Sequence, residues 1–359
     1  MKRVLHLWAT VAVFFLGVAA WAEEEIFIRG KEKAVKGVVT KESAQGVSFK
    51  DGTTFKAETI EDIVYEVNPV AVRLATYRPA VTAEKDSLDP AKSKEHKAKL
   101  DEAVKKYADA AAKIQEPFGK RHAEYKAAVL LARQLSEEGK PADPAIAQLK
   151  AFKTKHADSW QIASALQLLG RLQLDAKDFE GAKATYGELS QTSGPDDVKQ
   201  EAQLQVIYVS IRAGKTAEAQ SALTAALQAF GKDSKHAVKA RVLQAELQMV
   251  AKKYDEATKL LRQVTKDTND KELKALAYNS LGVCLFEQQD YKGARWEFLW
   301  VDVVYNQDKN EHAKALYYLW KTFGELGDAE KAQDCREQLL NERAFAGTEW
   351  RAKAQKESK

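Results

Sequence analysis

The feature that constrains this chain most is an alanine that returns at a nearly fixed interval. The recurring positions are Ala182, Ala219, Ala257, Ala294 and Ala332. Neighbouring members are 37 or 38 residues apart, and each follows a short polar turn. Self-similarity at such a period indicates stacked supersecondary units, because one unit cannot bury its apolar face alone. The sequence therefore predicts a helical-repeat array over residues 121–343.

Two further positions repeat in phase with these alanines. A small residue precedes them at Gly170, Ala245 and Gly282, and an aromatic residue follows four positions later at Tyr186 and Phe298. The pattern resembles the tetratricopeptide repeat, in which small residues let two helices cross closely and an aromatic ring packs beside them. The resemblance implies an α-solenoid of helical hairpins in a mainly α protein, with a concave face that binds a partner.

The array also departs from the family pattern. Its period exceeds the family's length of about 34 residues. Ile207 and Trp320 occupy the small position, and Arg336 replaces the aromatic residue of the last unit. We expect the hairpins to persist, with the superhelical pitch left open. An earlier, irregular hairpin at residues 122–138 and 144–155 is expected to serve as a first unit or cap.

The first 22 residues resemble a secretory signal. Lys2 and Arg3 precede the apolar stretch from Val4 to Ala20, and Ala20-Trp21-Ala22 offers a small-x-small cleavage site. We expect cleavage after Ala22, with retention as a membrane anchor as the alternative. The mature chain is then expected to be periplasmic or secreted, without a stable membrane span.

Residues 23–68 differ from the rest of the chain. Short β-rich runs alternate with glycines, and Asp51-Gly52 between Phe49 and Phe55 indicates a hairpin. About five strands in roughly 40 residues bury a core by curling into a small barrel. The segment resembles SH3-like or Sm-like barrels in size and rhythm, so we expect a small all-β domain before the solenoid.

Residues 69–120 are predicted to be a linker and a charged helix. Asn68-Pro69 ends the last strand, and Arg78-Pro79 indicates a break. Asp89 is a good N-cap with Pro90 behind it, so a helix should begin there and run to about Gln115. At the other end, residues 344–359 are predicted to be a capping helix that frays into a charged tail.

No motif predicts catalysis, a cofactor or a metal. Gly214-Lys215-Thr216 is not a phosphate-binding loop, because Val209 stands where that motif needs glycine. No histidine has a His or Cys three or four residues later, so a zinc site is not expected. The sequence leaves two interpretations of Cys284 and Cys335. They could form a disulfide, or they could be two small buried hydrophobic residues, and the second interpretation is favoured.

The charge balance argues against nucleic acid as a partner. The formal charge of +4 falls to about +2 (+4 − 2) once residues 1–22 are removed, since that stretch holds Lys2 and Arg3 and no acid. Nucleic-acid binding needs clustered Lys and Arg. We therefore expect a protein or peptide partner.

The expected binding surface is the concave face of the solenoid. In the family, residues three before, one after and four after the small position of the first helix point inward. The positions that we expect to contact a partner are Arg171, Tyr208, Glu246, Asn279, Phe286, Tyr317 and Lys321. Trp296, Trp300 and Trp320 are expected to be mostly core, while a partly exposed one would indicate a second docking patch.

The leading hypothesis is a non-catalytic scaffold or adaptor of the cell envelope. Two alternatives remain. In one, the Sm-like or SH3-like barrel is the functional module, for oligomerisation or nucleic-acid binding. In the other, the chain is an envelope protein that binds polysaccharide through exposed aromatic platforms with nearby carboxylates.

Overall fold

The computed structural model describes residues 23–192, 194–231 and 234–357. The predicted secretory signal at residues 1–22 lies outside the described residues. Among the described helices, none is long and apolar enough to cross a membrane. The order along the chain is a strand-rich segment, a group of helices packed on it, and an array of helical hairpins.

The strand-rich segment forms two small antiparallel sheets. The strands are β1 (Glu24–Ile28), β2 (Val35–Gly37), β3 (Val39–Ser43), β4 (Gly46–Phe49), β5 (Thr54–Lys56) and β6 (Ile60–Val64). Within the described residues they pair in the orders β2-β1-β6 and β3-β4-β5. The predicted hairpin joins β4 and β5, with Val47 opposite Phe55. The expected small all-β segment is confirmed, with one strand more than predicted.

A glycine is required at the first residue of β4. Gly46 has a φ of +148°, and a Cβ there would lie 1.9 Å from the Phe55 carbonyl oxygen. Any other residue would push β4 away from β5, so this glycine sets the close approach of the two strands.

The helices that follow have these bounds: α1 (Val70–Val72), α2 (Arg78–Leu88), α3 (His96–Lys113), α4 (Pro117–Glu137), α5 (Asp143–Lys155), α6 (Ile162–Asp175), α7 (Phe179–Ser190), α8 (Asp196–Arg212), α9 (Thr216–Ala229), α10 (Lys235–Val250), α11 (Tyr254–Asp267), α12 (Lys271–Glu287), α13 (Tyr291–Val303), α14 (Lys309–Glu325), α15 (Ala329–Asn341) and α16 (Glu349–Glu357).

The β segment shares its core with α2, α3 and α4. Ile26 and Ile63 of the sheets pack in one buried cluster with Tyr77, Tyr107 and Ala123 of the helical part. A six-stranded segment of this size buries little apolar surface by itself. The helices after it therefore complete its hydrophobic core.

The segment predicted to be a linker is largely helical. Pro79 lies in the first turn of α2, where it has no amide hydrogen for the carbonyl of Ala75 four residues earlier. The turn before it widens into a π-helix at Arg73–Tyr77, and Lys106 Nζ from α3 donates a hydrogen bond to the Ala75 carbonyl at 3.3 Å. The helix thus continues through Arg78-Pro79, where the sequence predicted a break.

The hairpins of the array turn in the same way each time. The turn residues with a left-handed backbone are Gly139, Lys177, Gly214, Lys252, Gln289 and Gly327. These turn residues recur with the same period as the alanines. Gly139, in the turn of the irregular α4–α5 hairpin, follows the same period. The even-numbered helices of neighbouring hairpins contact one another, α8 with α10, α10 with α12 and α12 with α14. They form the inner layer of the solenoid.

The small positions pack as the sequence predicted. Ala182, Ala219 and Ala294 are fully buried. A Cβ at Gly170 would meet the Tyr186 ring at 2.7 Å, and one at Gly282 would meet the Phe298 ring at 2.5 Å. Glycine therefore makes room for an aromatic ring of the second helix, which confirms the tetratricopeptide-type register.

The last hairpin compensates for its two departures from this pattern. Trp320 fills the small position of α14, and Arg336 stands on α15 where other units have an aromatic residue. The Arg336 guanidinium lies 5.5 Å from the centre of the Trp320 ring. In this hairpin a cation–π contact thus replaces the contact between glycine and an aromatic ring. The ring lies on the first helix and its partner on the second, which reverses the arrangement of the other hairpins.

The C-terminal segment, predicted to be a capping helix that frays into a charged tail, packs onto the solenoid through α16. Ala354 of α16 is fully buried in a cluster with Phe345, Leu316 and Tyr317. Upstream of α16, the Arg343 guanidinium donates a hydrogen bond to the carbonyl of Ser87 at the end of α2. The chain therefore returns from the last hairpin to its N-terminal helices. On the way, α16 covers apolar surface of α14.

Candidate functional site

A groove on the inner face of the solenoid is the feature that best fits a bound partner. It encloses about 370 Å³ between α8, α10, α12 and α14, and the first turn of α16 closes one side. Its lining consists of Glu201, Leu204, Gln205, Tyr208, Lys239, Val242, Leu243, Glu246, Glu272, Leu273, Leu276, Asp308, Asn310, Glu311, Lys314, Glu349 and Trp350. Polar and apolar side chains alternate across this surface, as in protein-binding interfaces.

Several lining residues occupy one position of the repeat that the sequence analysis missed. Glu201, Lys239, Leu276 and Lys314 each stand six residues before the small position of their hairpin, and all line the groove. The family positions used for prediction lie closer to the C-terminal end of each inner helix. The same periodicity, followed one helical turn further back, would have identified these four residues.

The groove is acidic. Among its lining residues the carboxylates are Glu201, Glu246, Glu272, Asp308, Glu311 and Glu349, and the ammonium groups are those of Lys239 and Lys314. Lys239 Nζ lies 2.7 Å from a carboxylate oxygen of Glu201, so this pair neutralises itself. The remaining surplus of negative charge creates a potential that attracts cations.

Glu246 of α10 and Lys314 of α14 both line the groove and interact electrostatically. Burial raises the pKa of the Glu246 carboxyl above its usual value, and the Lys314 ammonium offsets this in part. Burial alone would lower the pKa of Lys314, but the carboxylates of Glu311 and Glu246 raise it by more. Both groups are thus poorly solvated charges that a bound partner could pair with.

Tyr208 lies beside this pair on α8. Burial raises the pKa of its phenol to about 12, so the hydroxyl is protonated at neutral pH. The Arg212 guanidinium donates a hydrogen bond to the Tyr208 oxygen at 3.2 Å and lies 5.8 Å from the centre of the ring. The phenol is therefore held in place against the groove wall. The structure brings the predicted residues Tyr208 and Glu246 together in one cavity.

Asn279 has a different place from the one expected. It is fully buried, and its Nδ2 donates to the Glu311 carbonyl oxygen at 2.8 Å and to a Glu311 carboxylate oxygen at 2.7 Å. The side chain ties α12 to α14, because an amide at this depth needs an internal partner. We predicted a contact with a partner protein, whereas the side chain contacts the neighbouring hairpin.

The expected contact residues of the last hairpin are covered by the C-terminal helix. Tyr317 is only 4% exposed and donates a hydrogen bond to Glu357 at 2.8 Å. Lys321 Nζ lies 2.5 Å from a carboxylate oxygen of the same Glu357. The Trp350 ring packs 5.3 Å from the Tyr317 ring, centre to centre. Tyr317 and Lys321 lie on the inner helix α14, but α16 covers the surface that we expected a partner to contact.

Phe286 and Arg171 lie outside the cavity. The Phe286 ring packs edge-on against Tyr291 and Tyr318, with centres 5.3 and 5.7 Å away, so it joins two neighbouring hairpins. Arg171 is exposed on α6, beyond the end of the groove. An extended partner that followed the inner face past α8 would reach Arg171, while Phe286 serves mainly as core.

Two of the three clustered tryptophans are more exposed than the sequence predicted. Trp296 and Trp300 were expected in the core, but they are 60% and 46% exposed on α13. The reason is the helix face: Ala294, Phe298 and Val301 point inward, so residues two positions on from Ala294 and Phe298 point away from the core. Trp320 is half-buried on α14.

The described residues carry no sign of redox or metal chemistry. Cys284 and Cys335 are both free thiols. Burial raises the pKa of both, that of Cys335 to about 12, which disfavours the reactive thiolate. No group of three His, Cys, Asp or Glu side chains in the described part of the chain could hold a metal ion.

The comparisons with known proteins agree with this geometry. Residues 210–279 match the family model of the tetratricopeptide repeat. A tetratricopeptide repeat protein from Parabacteroides merdae is similar in structure, with a TM-score of 0.50 and 14% identity over 77% of this chain and 99% of that chain. The array of hairpins is therefore a tetratricopeptide-type solenoid.

Two further solved structures show more distant similarity. A Rap protein complexed with Competence and Sporulation Factor gives a TM-score of 0.47 at 15% identity, covering 76% of this chain and 77% of that chain. BtubC from P. vanneervenii gives 0.37 at 16% identity, covering 66% and 89%. A search of curated protein sequences gave no match.

Proposed function

We propose that this chain is a non-catalytic scaffold that holds a segment of a partner protein in its concave groove. The observation that carries this proposal is the groove itself: inner helices of consecutive hairpins line one cavity with residues in the same repeat positions. A solenoid builds such a surface because each hairpin adds one more strip to the inner face.

The chemistry of the lining favours a partner segment that carries Lys or Arg. Surplus carboxylates attract cationic side chains, and Glu246 lies at the centre as a half-buried acceptor. The Tyr208 and Trp350 rings also line the groove, but cations of this chain already lie over them, Arg212 over Tyr208 and Lys314 over Trp350. A bound Lys or Arg would therefore pair mainly with the carboxylates. An acidic partner would be repelled by the same surface.

The cell envelope is the proposed location, on the strength of residues 1–22. Their positive start, apolar stretch and Ala-Trp-Ala site are typical of a secretory signal. Intact-mass measurement of the protein from fractionated cells tests this directly. A mature N-terminus at Glu23 in an extracytoplasmic fraction supports the location, and an intact Met1 in the cytosol refutes it.

Site-specific photocrosslinking in the native host tests groove binding. A photoreactive phenylalanine derivative at Tyr208 should crosslink a partner, while the same probe at Lys113, exposed on α3, should not. The captured protein is then purified, and its affinity is measured by titration calorimetry. We expect Glu246→Lys to weaken binding by about tenfold to a hundredfold, because it reverses a central charge.

The controls separate the groove from the rest of the surface. Lys113→Glu changes an exposed charge far from the groove and should leave the affinity unchanged. If Glu246→Lys and Tyr208→Ala both bind the purified partner as tightly as the wild type does, the groove is not the binding site. A crosslink at Lys113 equal to that at Tyr208 would lead to the same conclusion.

A further inference from the structure

The outer face of α13 carries an apolar strip that is exposed to solvent in the described part of the chain. Trp296, Trp300 and Val303 are spaced by four and three residues, and they are 60%, 46% and 69% exposed. Val304 in the next turn is exposed as well. Large apolar side chains that recur on one helix face in contact with water indicate an interaction surface.

The rings of this strip are held in place. Trp300 stacks on Tyr278 of α12 with centres 6.0 Å apart and planes 23° apart. Tyr278 in turn stacks on Tyr305, with centres 5.5 Å apart. Because these aromatic side chains support one another, Trp300 loses little conformational freedom when a second surface covers it.

A basic strip lies on one side of the apolar one. On α11, Lys259, Arg262 and Lys266 are exposed and spaced by three and four residues, so they share the outward face. The exposed acid Asp255 in the first turn lies on the same face, where the three bases outnumber it. Arg262 Nη1 is 4.0 Å from a carboxylate oxygen of Glu297 on α13, which shows that the two helices are neighbours. The outward face of α11 is therefore positively charged next to the tryptophans.

An acidic strip lies on the other side. On α15, Glu330, Asp334 and Glu337 are exposed and spaced by four and three residues. The nearby base Lys331 points to another side of α15, where its ammonium lies 2.6 Å from Asp328, and the Arg336 guanidinium lies over the Trp320 ring of α14. Both α13 and α15 pack against α14, and Arg295 of α13 interacts electrostatically with Asp328 at the start of α15, so α15 is also a neighbour of α13. The order across the convex face is basic, apolar, acidic.

This order is complementary to itself under one particular two-fold axis. If the axis runs parallel to α13 within the contact plane, the apolar strips of two copies meet at the centre. The basic strip of α11 then faces the acidic strip of α15 in the other copy, and the reverse pair forms on the far side. A two-fold axis across the helices would instead place like charges together, so the charges select one arrangement.

We propose that the convex face formed by α11, α13 and α15 binds a second copy of this chain in a two-fold symmetric dimer. With about 20 Å of helix length and about 30 Å across three helices, each copy contributes on the order of 600 Å². Stable interfaces of standard size bury about 800 Å² per partner, so the dimer should be reversible with a micromolar dissociation constant. The concave groove stays free on both copies.

Sedimentation velocity over a concentration series tests the dimer in the purified full chain. The wild type should change from monomer to dimer as its concentration rises. Trp300→Ala should raise the dissociation constant at least about tenfold, because a central tryptophan contributes heavily to an interface. Leu74→Ala removes an equally exposed apolar side chain among the N-terminal helices and should leave the dissociation constant unchanged.

Charge reversal tests the arrangement. The triple variant K259E/R262E/K266E and the triple variant E330K/D334K/E337K should each remain monomeric, because each places like charges opposite one another. An equimolar mixture of the two should dimerise again, since every facing strip then carries opposite charge. The control K94E/K105E/K113E reverses three exposed lysines in and around α3 and should dimerise as the wild type does.

Three results would overturn the proposal. The first is a wild type that sediments as a monomer at all concentrations. The second is a dimer that both Trp300→Ala and the charge reversals leave intact. Such a dimer would form through another part of the chain, for example residues 1–22, which all variants share. The third is a monomer whose tryptophan fluorescence changes on titration with soluble envelope polysaccharide, which would make the strip a carbohydrate platform. Retained thermal stability of each variant shows that loss of dimer is not loss of fold.

Discussion

At the residue scale, the strongest electrostatic feature is a buried network that joins the β segment to the helices. Lys126 Nζ lies 2.8 Å from Asp62 and 2.8 Å from Glu84, and His122 Nε2 lies 2.8 Å from Asp62. The Tyr77 hydroxyl is 2.9 Å from His122 Nδ1. Burial by itself would raise the pKa of Asp62, but Lys126 and His122 lower it far below its usual value.

We expect Asp62→Asn to lower the free energy of unfolding at pH 7 by about 3 kcal/mol, because Lys126 and His122 lose a buried partner. Since the folded pKa of Asp62 lies below the unfolded value of 3.8, its contribution is present above that pH and lost as pH falls further. Urea unfolding at pH 7 and pH 3 should therefore show a large difference from the wild type at pH 7 and a smaller one at pH 3. Glu61→Gln, exposed on the same strand, should change neither value.

Glu246 should show the opposite sign. Burial raises its pKa above the ordinary 4.5, so the ionised carboxylate costs stability at neutral pH, and that cost disappears as pH falls through the folded pKa. Glu246→Gln should therefore raise the midpoint of urea unfolding at pH 7 and have no effect near pH 4. Glu311→Gln should lower the midpoint at pH 7, because the buried Lys314 ammonium loses the carboxylate that stabilises its charge most. Equal effects of the two variants would contradict this account.

At the element scale, the stability of each hairpin depends on how closely its two helices cross. Gly282 of α12 meets Phe298 of α13 with no space for a methyl group. The same contact recurs between Gly170 and Tyr186 in an earlier hairpin. Such positions tolerate neither a larger side chain nor a shift of the aromatic ring, because the ring is fully packed on its other side.

We expect Gly282→Ala to lower the free energy of unfolding by about 1–3 kcal/mol, because the new methyl group would lie within 3 Å of the Phe298 ring. Gly187→Ala on α7 is the matched control. No atom lies within 4 Å of a Cβ at Gly187. There, alanine should stabilise the helix by about 0.5–1 kcal/mol. Thermal and urea unfolding of both variants measure the difference, and an unchanged Gly282→Ala would contradict the register of the hairpins.

At the scale of the whole molecule, the C-terminal segment connects the two ends of the chain. Arg343 reaches the carbonyl of Ser87 and lies 2.8 Å from the His96 ring. A few residues later, α16 covers Tyr317 and Lys321 on α14. A solenoid whose hairpins contact only their neighbours unfolds readily from its ends. Here the segment that covers the last hairpin also makes contacts with the first helices.

We expect a variant that ends at residue 348 to unfold from the C-terminal side at lower temperature, because Tyr317, Leu316 and Phe345 lose the cover of α16. Hydrogen exchange should show faster exchange of the α14 amides, with α8 and α10 unchanged. Lys356→Ala, on the exposed side of α16, should leave exchange as in the wild type. Unchanged protection of α14 in the truncated chain would show that α16 contributes nothing to the last hairpin.

Much of the array could be read from the sequence, because the packing that builds a hairpin is local. The recurring alanines, and the aromatic residues four positions after two of them that meet Gly170 and Gly282, report contacts between helices adjacent in sequence. The same reasoning found Tyr208 and Glu246, whose positions follow from one helix and its period. It failed at Asn279 and Tyr317, since their burial depends on Glu311 in the next hairpin and on Glu357 at the far end of the chain.

The sequence by itself determined the hairpins, their period, the all-β start and the inward face of each helix, since these depend on residues within about 40 positions of one another. Only the tertiary structure decided that α2 to α4 complete the β core and that α16 covers one end of the groove. Those features depend on contacts between residues as distant as Ser87 and Arg343, which no local pattern encodes. The reason is physical. A periodic sequence reflects packing between residues that are close along the chain, whereas the curvature of the solenoid and the contact between its ends depend on the sum of small rotations from each hairpin to the next.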